Sequence, residues 1–388
     1  MSYKPRTRDE HFANDGTPKR ILALDGGGLR GILTLGYLAR IEELLRERHK
    51  AGDEFRLSHY FDLIAGTSTG AIIAAGLAKG WTVAELAQHY LELGNEIFSK
   101  EWLRFGVMRS KYDAGKLIDK LKKLLGDDLT LGSEKLETGL LVVTKRLDTG
   151  SPWPLGNNPR GKYFADRPNG TIGNGRYPLW QVVRASTAAP VFFDSEHITI
   201  TTPEGARAAA GNFVDGGVSP FNNPALQALM YATLDGYRVG WPLGADKLLI
   251  VSVGTGASDP SVAPYKLDVA ARDGVKAIVA LMDDCASLME TLLQWMSASP
   301  TARQIDRELG DLRNDRLADR PLISYLRYNM ELSPGPVREL VPGVTDEQVK
   351  NLAEMDVPTN MELLHRLGTL SAARQVNPQD FAATFDLR

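Results

Sequence analysis

The chain has 388 residues, 43% of them hydrophobic and 24% charged, with a net charge of −3 and a pI near 6.1. That length suits one large α/β domain or two ordinary ones and needs no covalent staple. The lack of basic excess argues against nucleic acid as a partner bound by bulk charge, and the single cysteine, Cys285, excludes an internal disulfide framework.

In chain order, residues 1–18 are polar with scattered Pro and Gly, and they predict a flexible N-terminal arm. The arm has no apolar run of signal-peptide type, and no window of about 18 apolar residues occurs anywhere, so the expectation is a cytoplasmic protein. RILAL (20–24) predicts a buried strand, DGGGLRG (25–31) a loop, and ILTLGYLARIEELLRERHK (32–50) a helix. FDLIAG (61–66) reads as a second buried strand, followed by a turn at TSTG and a buried helix at AIIAAGLAKG (71–80). Strands alternating with helices predict a three-layer α/β/α fold around a mostly parallel sheet, here over residues 19–260. A helix is expected over 82–100, and an amphipathic helix over 114–125 with Lys116, Lys120, Lys122 and Lys123 on its polar side. GLLVVTKRL (139–147) predicts a strand, and the Pro-, Gly- and Asn-rich stretch 148–175 a long loop, with a lid or a variable insertion as its two readings. Next come a helix at LWQVVRASTAA stopped by Pro190, strands at EHITITT and GNFVDGGV, a helix at NPALQALMYATL and a strand at KLLIVSVGTG. Residues 261–388 are expected to form a mainly helical region packed on the first, with a charged helical stretch at 302–320 and one late strand at SYLRYNMEL.

Two motifs in this order carry chemistry. GGGLRG (26–31) fits the G-x-G-x-x-G pattern between a strand and a helix. A dinucleotide site would also need an acid at the end of the next strand, and that strand ends in Thr67 and Ser68, which argues against a dinucleotide-binding oxidoreductase. A glycine run before a helix still leaves backbone N–H groups open beside a positive helix end, a site for any anion, including one present only in a transition state. Arg30 can pin such a loop or add charge to it. The plainer alternative is that the glycines only let helix and sheet pack closely.

GTSTG (66–70) is a G-x-S-x-G turn between a buried strand and a buried helix, with Gly66 and Gly70 around Ser68. It makes Ser68 a candidate nucleophile; the alternative is a small residue in a packing turn. Of the six histidines, His11, His49, His59, His89, His197 and His365, His365 fits the triad order but falls mid-helix, where a catalytic histidine is usually on a loop, and none has a persuasive context. A carboxylate can serve instead, and Asp215 ends an apolar strand just before Gly216 and Gly217. An aspartate is a weak base at its ordinary pKa, about 3.9, but in a dry pocket it can orient a serine and take its proton as the alkoxide forms. The same D-G pair is also a common turn.

Taken together, LDGGGLRG (24–31), GTSTG (66–70) and VDGGV (214–218) resemble the patatin-like phospholipase family, across about residues 18–260. ASTAAPVFF (185–193) and NNPA (222–225) are similar to it as well. The resemblance implies a Ser–Asp dyad, with Ser68 as nucleophile and Asp215 as base. It implies an oxyanion hole at Gly26, Gly27 and Gly28 with Arg30 steadying the loop, and no metal or other cofactor. The implied activity is phospholipase A-type hydrolysis of membrane lipid esters through an acyl-enzyme. A general esterase or neutral-lipid lipase, and a non-catalytic binding module on the same fold, are the alternatives. The implied partners are a lipid substrate, a peripheral membrane contact at the inner face, a cyclic-nucleotide activator in antiphage defence, and a second copy of the chain. Trp81, Trp102, Phe105 and the lysines of 116–123 are the candidate docking residues; the plainer alternative is an ordinary surface helix whose lysines are solvated.

Overall fold

RILAL shows no apolar–polar alternation because its strand is buried on both faces. The structure is a computed structural model describing residues 3–97, 114–190, 192–201, 209–257 and 270–387. Its strands are β1 (Lys19–Leu24), β2 (Leu63–Thr67), β3 (Gly139–Arg146), β4 (Ser151–Gly156) and β5 (Glu196–Thr199). They continue with β6 (Ala210–Asp215), β7 (Leu248–Val253), β8 (Ser297–Ala298) and β9 (Ile323–Tyr328). Along β1, Ile21 and Ala23 enter a core with Leu63, Ala65, Leu141 and Ile250. Leu22 and Leu24 point the other way, into a larger core with Ile64, Leu140, Val142 and Val251.

The first helices are α1 (Arg8–Phe12), α2 (Gly31–Arg48), α3 (Leu57–Tyr60), α4 (Thr69–Ala78), α5 (Val83–Ile97) and α6 (Ala114–Leu125). Then come α7 (Leu179–Ser186), α8 (Ala225–Thr233), α9 (Ala270–Trp295), α10 (Pro334–Leu340), α11 (Asp346–Leu352) and α12 (Met361–Gln375). Helices α2, α4, α5, α7 and α12 bury their apolar residues in the larger core, and α8 with the end of α9 covers the opposite face. The result is a three-layer α/β/α fold.

The sheet runs β5-β6-β3-β2-β1-β7-β9-β8, with β4 added on β3. From β3 to β8 the pairs are parallel; β4, β5 and β6 are antiparallel. One edge of β3 is shared: β2 pairs along it up to Thr67 opposite Val143, and β6 comes down it to end with Asp215 opposite Thr144. The C-terminal ends of β2 and β6 therefore meet head-on. β4 takes the other edge of β3, and its Pro152 and Pro154 suit a border position where no further N–H is required.

Three expectations change. The 148–175 stretch is not all loop, because β4 opens it. Residues 302–320 form turns rather than a helix: Ile305, Leu309 and Leu312 fall at helical spacing, but the backbone turns left-handed at Gly310 (φ 64°) and Leu312 (φ 56°), and a bridge between Asp306 and Gly310 closes a tight loop instead. The N-terminal arm is not loose. Its polarity is spent on one buried acid, Asp62, which lies 2.9 Å from His11 Nδ1 and 3.3 Å from Arg6 Nη1, and accepts from Arg20 Nε at 3.0 Å. The boundary expected near residue 260 falls outside the described residues.

Burial alone would push the Asp62 carboxyl up, but the Arg20 guanidinium, aided by His11 and Lys19, outweighs it and holds the carboxyl well below the usual carboxylate range. Replacing Asp62 with alanine leaves Arg20 buried without its counter-charge, and should cost about 3–5 kcal/mol in urea unfolding. Because the folded pKa is depressed, this contribution is complete above the unfolded value near 4 and fades as pH falls below it. A wild-type stability profile unchanged from pH 7 to pH 3 would contradict that account.

Candidate active site

The site forms where the two strand ends meet. β2 stops at Thr67 and the chain turns sharply, with Ser68 at φ 53° and ψ −122°. That left-handed backbone costs a non-glycine residue about 1–3 kcal/mol and is held by what surrounds it. The glycines of the turn are required by close approach: a Cβ on Gly66 would sit 2.2 Å from Gly70 O, and one on Gly70 would sit 2.2 Å from Leu24 O. Ser186 completes the brace, since its hydroxyl accepts from Ser68 N at 2.8 Å and donates to Val143 O at 2.6 Å.

Asp215 lies across the junction, and Ser68 Oγ donates to its Oδ2 at 2.6 Å. The other carboxylate oxygen accepts from Gly217 N at 2.7 Å. The carboxyl is 5% exposed. Burial pushes its pKa up, and the hydrogen bonds from Ser68 and Gly217 and the nearby Arg184 charge only partly offset this, leaving it at about 6. A carboxylate at that value is ionised at neutral pH and is a far better base than an ordinary one. No histidine lines this cleft among the described residues.

The glycine loop follows β1 and faces the same point. Gly26 N donates to Asn222 O at 3.1 Å, so its amide is already engaged and is removed from the expected donor set. The N–H groups of Gly27 and Gly28 have no partner among the described residues. Gly28 has φ +57°, and a Cβ there would meet Met355 O at 2.4 Å. Its carbonyl accepts from Tyr90 Oη at 2.5 Å, while the same phenol is hydrogen-bonded to Thr69, the residue after Ser68. Thr255 Oγ1 donates to Gly26 O at 3.0 Å. Arg30 is buried behind the loop among the carboxylates of Asp283, Glu354 and Asp25.

Sequence reasoning missed Ser186, Tyr90, Asn222 and Thr255 as parts of the frame. Ser186 and Asn222 stand inside quoted stretches, and the local signal was a small polar residue in an otherwise apolar run. Arg327 was missed too, although it is the one charge in the first half of the expected late strand SYLRYNMEL.

Ser68, Asp215, Gly27 and Gly28 open into a cleft with about 1100 Å³ of empty space, part of it continuous with solvent. Away from the polar groups its walls are Leu29, Ile72, Leu93, Leu117, Phe193 and Met282. α6 turns Leu117, Leu121 and Leu125 inward, and Lys122 sits 4.7 Å above the Trp180 ring and 3.1 Å from Asp127. Trp81 packs against the larger core, and Trp102 and Phe105 lie outside the described residues. No helix among the described residues is long and apolar enough to cross a membrane.

A family model described as "Patatin-like phospholipase" matches residues 22–229. The chain is 28% identical to a cGAMP-activated phospholipase of Escherichia coli (strain TW11681), over 64% of this chain and 65% of that protein. It is 30% identical to a cGAMP-activated phospholipase of Vibrio cholerae serotype O1, over 66% of this chain and 69% of the relative. Patatin-T5 of Solanum tuberosum aligns over 95% of this chain and 94% of its own length at 23% identity. The matched segment thus spans about two thirds of the length of these bacterial relatives.

Proposed function

The chain belongs to the patatin-like phospholipase family, a group of serine-dependent lipid ester hydrolases, and from that premise we propose that it cleaves carboxylic ester bonds of membrane phospholipids with Ser68 as nucleophile and Asp215 as base. The observation that carries this reading is the 2.6 Å hydrogen bond from Ser68 to a buried carboxylate. The two open amides beside it and the apolar cleft beyond it supply the rest of the chemistry.

In the first step Ser68 Oγ attacks the ester carbonyl carbon while its proton passes to Asp215. The carbonyl oxygen takes up the electron pair as an oxyanion between the Gly27 and Gly28 N–H groups, a type of donor worth about 3 kcal/mol each. Collapse expels the alcohol, a lysolipid, which leaves with the proton from Asp215. Water then attacks the acyl-enzyme by the same route and releases the fatty acid. Leu29, Ile72, Leu93 and Leu117 give the acyl chain an apolar wall to lie along.

Leu281 and Leu288, 62% and 54% exposed, lie on α9 near Met282 at the cleft wall, and they fit a contact with the bilayer from which a lipid enters. The bacterial relatives are named for activation by cGAMP, and we extend the same class of activator, a cyclic nucleotide, to this chain. The test is release of fatty acid from phosphatidylethanolamine and phosphatidylglycerol vesicles by wild type and Ser68→Ala, each with and without cGAMP. Release by wild type in either arm and none by the variant supports the assignment; equal release by the two refutes it. Release by wild type that ignores cGAMP refutes the activator alone.

The buried base sets a pH dependence. Only ionised Asp215 can accept the proton, so kcat/KM should rise with pH to a midpoint near 6 and level off above about 7. Below the midpoint it should fall about tenfold per pH unit. Hydrolysis of a neutral p-nitrophenyl ester across pH 5–8 measures it, and a flat profile down to pH 5 would remove Asp215 from the role.

A further inference from the structure

The glycine loop opens with Asp25, a carboxyl that points away from Ser68 and that the mechanism above does not use. It is 5% exposed, and its partner comes from 302 residues further along the chain. Arg327, on β9, forks it: Nη1 donates to Oδ1 at 3.0 Å and Nη2 to Oδ2 at 2.6 Å. Nη1 also donates to Ser252 Oγ at 2.8 Å, and that hydroxyl donates to Asn223 Oδ1 at 3.3 Å. Asn223 follows Asn222, whose carbonyl holds Gly26 N. One guanidinium therefore grips both flanks of the loop, Asp25 before Gly26 and the asparagine turn beside it. Behind Arg327, Glu290 sits 4.0 Å from its Nε and is itself forked by Arg303 at 2.5 Å for both bonds.

Register makes this pairing possible. Arg327 stands opposite Ser252 on β7, and Val253 stands opposite Leu24, the last residue of β1. Asp25 N donates to Val253 O at 3.1 Å, which carries the ladder one residue past β1. The loop thus begins from a point fixed on its backbone by β7 and on its side chain by β9. An unpaired carboxylate at that depth would sit under the site where negative charge develops in the reaction, in a poorly screened interior.

We propose that Arg327 is a positioning residue of the oxyanion loop: by forking Asp25 it fixes where Gly27 and Gly28 point their N–H groups and cancels a negative charge beneath them. It touches no substrate. It lies beyond residues 22–229, the segment the family model matches, so the machinery of the site extends into the C-terminal region. The inference rests on the hydrolase reading above.

The test is steady-state hydrolysis of p-nitrophenyl butyrate by wild type, Ser68→Ala, Arg327→Gln, Arg327→Lys and the double variant Asp25→Asn with Arg327→Gln. Arg327→Gln should lower kcat about 100-fold, the loss expected when one oxyanion donor is misplaced, with KM within about threefold. Arg327→Lys keeps the charge without the planar fork and should lose about tenfold. The double variant removes the stranded carboxylate and should regain at least tenfold of kcat over Arg327→Gln. A purely structural role predicts the reverse, a double variant no better than the single one and a KM that moves with kcat. If Arg327→Gln does not fold, Arg327→Lys against wild type decides: kcat within twofold overturns the proposal. So does a folded Arg327→Gln with kcat within threefold of wild type, or a double variant without rescue. A wild type as inactive as Ser68→Ala would instead overturn the hydrolase reading.

Discussion

Asp215→Asn should lower kcat for ester hydrolysis about 10⁴-fold while leaving a folded protein. The amide oxygen can still accept from Ser68, so the serine keeps its place. What disappears is the ability to take the proton as the carbon–oxygen bond forms, and without it the attacking group is a neutral alcohol. Asp215 Oδ1 now accepts from Gly217 N and Oδ2 from Ser68 Oγ. In the variant one of these donors faces an NH₂ group, so some loss of stability accompanies the loss of rate. Ser68→Ala should fall to the same floor, and combining the two should add almost nothing, because nucleophile and base act as one unit. Initial rates on one chromogenic ester with all three variants measure this. Multiplicative losses, or an Asp215→Asn variant within tenfold of wild type, would break the dyad.

The second large effect is expected at Gly28. Its φ of +57° lies where an L side chain is strained, and an added Cβ would lie 2.4 Å from Met355 O. That oxygen cannot move away cheaply, because it accepts from Leu29 N at 2.8 Å. Gly28→Ala must therefore shift the loop, drawing the Gly27 and Gly28 amides off the position where the oxyanion forms. A loss of 10²–10³ in kcat is expected, together with about 1–3 kcal/mol of stability from the backbone conformation. The pairing of the two readouts is diagnostic. A variant that loses stability with full kcat would show that these amides do not hold the oxyanion.

How much of this was written locally in the chain varies by feature. The two β-turn-α units at the front were legible, because buried strands, glycine turns and helical spacing each have a short period. Ser68 and the glycine loop were legible for the same reason: their chemistry depends on backbone shape, which glycine spacing records. Asp215 could be proposed from its turn, but its distance from Ser68 could not, since it is set by the pairing of β6 with β3. The edge strand β4 was hidden by its two prolines, which read as loop. The packed arm was hidden because Arg6 and His11 look solvated until Asp62 is placed beneath them. Arg327 showed only as a charge inside the expected strand SYLRYNMEL, and its partner, 302 positions away, left no local sign.

The shared edge of β3 has a consequence for how this chain tolerates insertion. Nucleophile and base stand 147 positions apart, yet their spacing is fixed by two adjoining rungs of a ladder, Val143 and Thr144. Surface segments between them can therefore lengthen or shorten without disturbing the dyad. A single residue added inside β6 would slip its ladder by one rung, turn Asp215 to the opposite face of the sheet and leave the serine without its proton acceptor.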